Sequence, residues 1–77
     1  MIDEASMVAL IRGTLPDAQV DVWDLTGTMD HFDVSVRSSA FAGKSLMDRH
    51  RMVEAALRPA REDGRIHALA IKTAILE

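Results

Sequence analysis

The alternation of apolar and polar positions along this chain predicts an α-β-β-α-β order. Asp3 suits an N-cap, and Met7, Leu10 and Ile11, with Val8 and Leu15 nearby, repeat at the i, i+3, i+4 spacing of an amphipathic helix ending near Gly13 and Pro16. Gln19 to Leu25 is rich in β-formers and starts in strict alternation, then breaks it where Val22 and Trp23 are adjacent, which reads as a strand with a bulge. Thr26 to Asp30 is turn material. His31 to Arg37 alternates cleanly: Phe32, Val34 and Val36 share one face, and His31, Asp33, Ser35 and Arg37 share the other, so one side of the sheet is wet.

The stretch from Ser38 to Leu57 combines a turn, a helix start and a helix. Gly43 permits a turn backbone that a Cβ would resist, and Ser45 with Asp48 three positions on resembles a capping arrangement, so a helix begins at about Ser45. Leu46, His50, Val53 and Leu57 then recur as one helical stripe about 100° wide. Pro59 lacks an amide and disfavours helix in the residue before it, so the helix weakens there and Ala60 to Asp63 forms a separate short turn before Gly64. Ile66 to Thr73 reads as a third, more continuously apolar strand. A short loop makes the first two strands antiparallel, and the intervening helix makes the second and third parallel, with helices on one face of a three-stranded mixed sheet. If so, His31 and His67 open neighbouring strands at the same end of the sheet, while alternation assigns them to opposite faces.

Composition narrows the chemistry. Seventy-seven residues make one small domain, spanning residues 1–77, that buries about 60% of its unfolded surface. The chain has no cysteine, hence no disulfide and no thiolate, so any metal chemistry must use histidine, carboxylate or a partner's ligands. No apolar run approaches the roughly 18 residues needed to span a bilayer, and the acidic start is unlike a secretory signal; a cytoplasmic location is the default expectation. No nucleophile motif, phosphate loop or enclosed carboxylate pair argues for an enzyme. Charge is polarised: residues 1–33 carry seven acids against Arg12, net −6, whereas residues 34–65 carry seven bases against four acids, net +3. Lys44, Arg49, Arg51 and Arg58 on the central helix could meet phosphate, with a solvated helix face as the alternative. No aromatic residues interleave with them to stack bases. The five methionines read as adaptable core filling. Trp23 either packs under a helix or sits beside the wet sheet face as a partner contact.

DHFDVSV at 30–36, SSAFAGKSLMDRHRMVEAAL at 38–57 and RIHALAIKT at 65–73 together resemble the BolA family, over nearly the whole chain after the first helix. Phe41, Gly43, Lys44, the triplet Arg49-His50-Arg51 and the segment Ile66-His67-Ala68-Leu69 match the family pattern in order and spacing. The resemblance implies an α+β fold like a class II KH domain. It further implies a monothiol glutaredoxin as partner and a [2Fe-2S] cluster shared with that partner and its glutathione, with no cofactor on the isolated chain, a monomer or weak homodimer. His67 matches the C-terminal histidine expected to ligate iron, against the plainer reading of a strand-start histidine capping a neighbour. Members often place histidine or cysteine in the loop between the first two strands; Thr28 stands at that position here, and His31 is the substitute within reach, against a plain surface role on the polar sheet face. His50 matches the family's helix histidine, and its place in the apolar stripe favours packing. Some members are also described as DNA-binding regulators, for which Lys44, Arg49, Arg51 and Arg58 are the candidate contacts, although the turn at Phe41 to Lys44 has one glycine and not the two of a KH clamp.

Overall fold

Asp3 caps the first helix: its carboxylate accepts from the Ser6 N–H at 2.7 Å, and α1 (Glu4–Thr14) follows. In this computed structural model, which describes residues 2–24, 31–66 and 68–76, α1 is followed by β1 (Gln19–Asp24), β2 (His31–Ser38), a 3-10 turn (Ser39–Phe41), α2 (Leu46–Glu62) and β3 (Ala68–Ile75). The order is the expected one, and the chain is an α+β domain with two helices and a three-stranded mixed sheet. No helix among the described residues is long and apolar enough to cross a membrane.

β2 is the middle strand, antiparallel to β1 and parallel to β3. Its alternation is read out fully. Phe32, Val34, Val36 and Ser38 are buried, while His31, Asp33, Ser35 and Arg37 lie on the opposite face. Met7, Ile11 and Leu15 from α1 and Val53, Leu57 and Ala60 from α2 complete the core over the inner face. Phe41, wholly buried, anchors the 3-10 turn to it. From the edges, Val20 and Val22 of β1 and Leu69 and Ile71 of β3 add half-buried contacts. Among the described residues no element covers the other face of the sheet.

Four local expectations change. β1 pairs with β2 without a break from Gln19↔Arg37 to Asp24↔Phe32, so there is no bulge among the described residues. Val20 and Val22 face the core and Trp23 points outward, 53% exposed; the adjacent apolar pair is ordinary alternation with an exposed tryptophan. α2 runs unbroken through Pro59, so the separate turn expected after it is the last turn of the same helix. Proline removes one hydrogen bond, to the Ala55 carbonyl, but Ala55 and Pro59 are both exposed, where solvent can reach that carbonyl, while the next residue, Ala60, is completely buried and its carbonyl accepts from the Ile66 N–H at 3.2 Å. Packing of that turn outweighs the local penalty. Leu46, first in the expected stripe, is 62% exposed because the helix starts beyond the edge of the core, whereas Val53 and Leu57 are fully buried. Finally, β3 runs from Ala68 to Ile75, later than the stretch read from the sequence.

Ser45 caps α2 as expected, its hydroxyl accepting from the Asp48 N–H at 3.1 Å, and Gly43 adopts φ +76° in the turn before it. A second polar joint had no local sequence signal. The carboxylate of Asp17, in the α1–β1 loop, accepts from the hydroxyl of the buried Ser38 at 2.6 Å and from the Ser39 N–H at 2.9 Å, and the Ser39 hydroxyl donates to it as well. Ser38 Oγ in turn accepts from the Ala40 N–H at 3.1 Å. These bonds staple the loop before β1 to the end of β2. The Ser38 hydroxyl first, then Ser39, holds the Asp17 carboxyl down to about 2.

Leu57→Ala is expected to lower the unfolding free energy by about 2–5 kcal/mol, because it leaves a cavity in a fully packed site, and Leu46→Ala to change it by less than about 0.5 kcal/mol; urea titrations of both variants test the assignment. Asp17 is depressed in the folded state, so its contribution to stability is complete above the unfolded carboxylate value near 4 and is lost as pH falls through about 2. Asp17→Asn is therefore expected to be less stable than the parent at neutral pH, the two converging as pH falls from about 4 to about 2. A gap in urea midpoint that stays constant across that range would show that the carboxylate charge does not matter.

Candidate metal-ligand and partner surfaces

Two groups of sequence-predicted residues fall at different places on this scaffold. His31 opens β2 and is half-buried on the open sheet face, as the alternation requires. Its register partner across the parallel ladder is Ala68, the residue after His67 in sequence. The starts of β2 and β3 are thus brought side by side, so two segments more than 30 residues apart in sequence meet at one end of the sheet. His67 itself, and residues 25–30 with the Thr28 position, lie outside the described residues.

The chemistry available at this end is limited and specific. One imidazole offers a single neutral nitrogen to a metal, and no group of three or more His, Cys, Asp or Glu among the described residues is arranged to hold an ion. The chain also lacks cysteine altogether. The donors among the described residues do not make up a metal centre by themselves; they suit a site in which other ligands supply most of the coordination.

The basic residues of the central stretch are spread along α2 rather than gathered. Lys44 and Arg51 are exposed, Arg49 is half-buried and its Nε donates to the Lys44 carbonyl at 3.1 Å, and Arg58 is exposed further along the helix. Acids interleave: Asp48 lies 3.9 Å from the Arg51 guanidinium, and Glu54 shares a small depression with Arg58 and Arg61. An exposed pair at that distance is worth little, but the alternation of signs leaves no uninterrupted basic strip. His50 is half-buried on the same helix, in keeping with the packing role read from its stripe.

Sequence reasoning left the surface around Trp23 undecided. The open face of the sheet carries Trp23 on β1, Asp33 on β2 and Lys72 on β3 around a depression of about 350 Å³. The alternation of Val20 and Val22 held the signal, since once both face inward Trp23 must face outward. The larger depression, about 730 Å³, lies on the outer side of α1 between Glu4, Ala5, Val8, Ala9 and Arg12, and holds no imidazole.

Comparison with known proteins agrees with the fold. The profile of the BolA-like protein family matches residues 13–77. Protein BOLA2 of Arabidopsis thaliana is 39% identical over 75 residues, covering 96% of this chain and 78% of that one. Among solved structures, BolA1 from Arabidopsis thaliana superposes with a TM-score of 0.82 at 28% identity, covering 96% of this chain and 94% of that one. The BolA domain of SufE1 from Arabidopsis thaliana gives 0.81 at 25% identity over 97% and 95%. With the family profile spanning all but the first helix and the α-β-β-α-β order shared with those domains, this chain belongs to the BolA-like protein family.

Proposed function

We propose that this BolA-like chain is an adaptor without catalytic activity that binds a monothiol glutaredoxin and shares a [2Fe-2S] cluster with it, His67 being the main ligand from this chain and His31 the second donor. The observation that carries the reading is the pairing of His31 with Ala68, which sets the residue after His67 beside the other candidate donor. The donor inventory supports it: the chain has histidines but no thiolate, so cluster sulfur ligands have to come from the partner and its glutathione. Family membership supports the choice of partner class, which the BolA resemblance implies.

When bound, such a cluster would supply one-electron chemistry at a potential raised by replacing thiolate with imidazole. What this chain's own residues do is narrower. The β2–β3 ladder fixes the spacing of the two strand starts, and the buried Phe32 next to His31 holds that end of β2 against the core, so the imidazole at position 31 is carried on a rigid strand and not on a loop.

Mixing the protein with cluster-loaded monothiol glutaredoxin is expected to change the visible absorption and circular dichroism of the cluster. His67→Ala is expected to abolish that change and His31→Ala to reduce it, with binding of the cluster-free partner followed separately by calorimetry. A spectrum unaltered by His67→Ala would remove that residue from the site; a parent protein that neither binds the partner nor alters the spectrum would end the reading.

A further inference from the structure

The open sheet face is a regular grid of side chains that the fold leaves uncovered. By register, Trp23, Asp33 and Ala70 form one row, Asp21, Ser35 and Lys72 the next, and Gln19, Arg37 and Ala74 a third. Trp23 is 53% exposed, and Asp21, Arg37, Lys72 and Ala74 are exposed beside it. None of Asp21, Asp33, Arg37 and Lys72 takes part in an ion pair among the described residues. The charges are sorted: the acids Asp21 and Asp33 are diagonal neighbours on the Trp23 side, and the bases Arg37 and Lys72 are diagonal neighbours on the opposite side, with Ser35 between.

A surface with one acidic and one basic corner about a central point is complementary to itself. The geometry points to this face as a homodimer interface, in which a second copy of the chain packs its own open face against it about a two-fold axis through Ser35. With strands about 4.8 Å apart and alternate residues about 6.7 Å apart, the axis that carries the acidic corner onto the basic corner is fixed. It places Asp21 over the partner's Arg37 and Asp33 over the partner's Lys72, each within about 3 Å in projection, from those same spacings. That axis, chosen from the charges alone, also sets Trp23 directly over the partner's Ala74. A large exposed indole therefore meets a small side chain, and each contact occurs twice because the interface is isologous. The strands of the two sheets then cross at about 70°, close to the orthogonal class of sheet packing.

Three strands make a face only about 14 Å wide, so the dimer buries well under the roughly 1,200 Å² of standard interfaces and belongs to the weak, transient class. Association is thus expected in the high-micromolar to millimolar range and to weaken with added salt. Trp23 is the only tryptophan in the chain, so its fluorescence reports this face alone.

Sedimentation velocity across that concentration range is expected to show a monomer–dimer equilibrium, with Trp23 emission moving to shorter wavelength as dimer forms. Lys72→Glu is expected to weaken association by about tenfold or more, since it sets like charges opposite one another, and Trp23→Ala to weaken it too. Combining Asp33→Lys with Lys72→Glu is expected to restore it, because the exchanged charges meet again across the axis. All substitutions are on the open face, and far-ultraviolet circular dichroism checks that each variant folds. Monomer at every concentration with constant Trp23 emission overturns the proposal. So does a dimer indifferent to Lys72→Glu and Trp23→Ala, or a charge exchange that fails to restore association. If the chain stays monomeric while added glutaredoxin shifts Trp23 emission, the face belongs to a different protein and the homodimer is likewise overturned. No cluster is present in these measurements, so their outcome is independent of the iron–sulfur reading.

Discussion

The inner face of β2 is the constraint on which the molecule depends. Phe32, Val34 and Val36 are buried in the middle of a three-stranded sheet, and every other element is placed by how it covers them. α1 and α2 both lie on that side, because a strand with period-2 alternation has one apolar face to bury and one polar face to leave wet. A one-residue slip of β2 would put His31, Asp33, Ser35 and Arg37 into the core, so its register is strongly specified. The registers of β1 and β3 against it follow, and with them the meeting of His31 and Ala68 at one end. The side-by-side placement of these two strand starts is therefore a by-product of core packing.

The architecture also explains why an uncovered surface remains. A chain of 77 residues has two helices, which suffice to cover one side of three strands. The uncovered side stays in water through charged and small residues: Asp21, Asp33, Arg37 and Lys72 surround Ala70 and Ala74, and Trp23 is the large apolar exception. An exposed single apolar residue is ordinary on a protein surface. What distinguishes Trp23 is its setting beside an acidic corner that faces a basic one across the sheet.

How much of this was legible beforehand differs by element. β2 was legible to its faces because all of its alternating positions agree. The cap at Ser45 was legible because a side-chain-to-backbone bond over three residues leaves a local pattern. In β1 the adjacent apolar pair Val22 and Trp23 suggested a bulge and left Trp23 open between the two faces, and the alternation of its neighbours was the better guide. Pro59 was misread because its penalty is local, whereas the burial of Ala60 and the bond from Ile66 that hold the last turn are tertiary. The joint between Asp17 and the serines spans 21 and 22 residues, so no window along the sequence contains it. The resemblance to the BolA family supplied the partner and ligand expectations; periodicity alone supplied only that two histidines come near the same end of the sheet.

The anchoring joint and the proposed ligand end lie at opposite ends of the same strand. Ser38, at the end of β2, carries the Asp17 staple, accepts from the Leu76 N–H through its carbonyl and is fully buried, while His31, at the start, faces the open side. Seven residues at about 3.3 Å each separate them by about 23 Å. In a domain this small, with little stability in reserve, a ligand end built from the anchoring interactions would make every change in binding a change in folding. Here the polar joint at Ser38 and the packing of Phe41 fix the far end of β2, so a donor at His31 is held in register by the ladder without itself being needed to hold the ladder together. The end proposed to meet a partner can therefore vary in residue type while the fold stays the same.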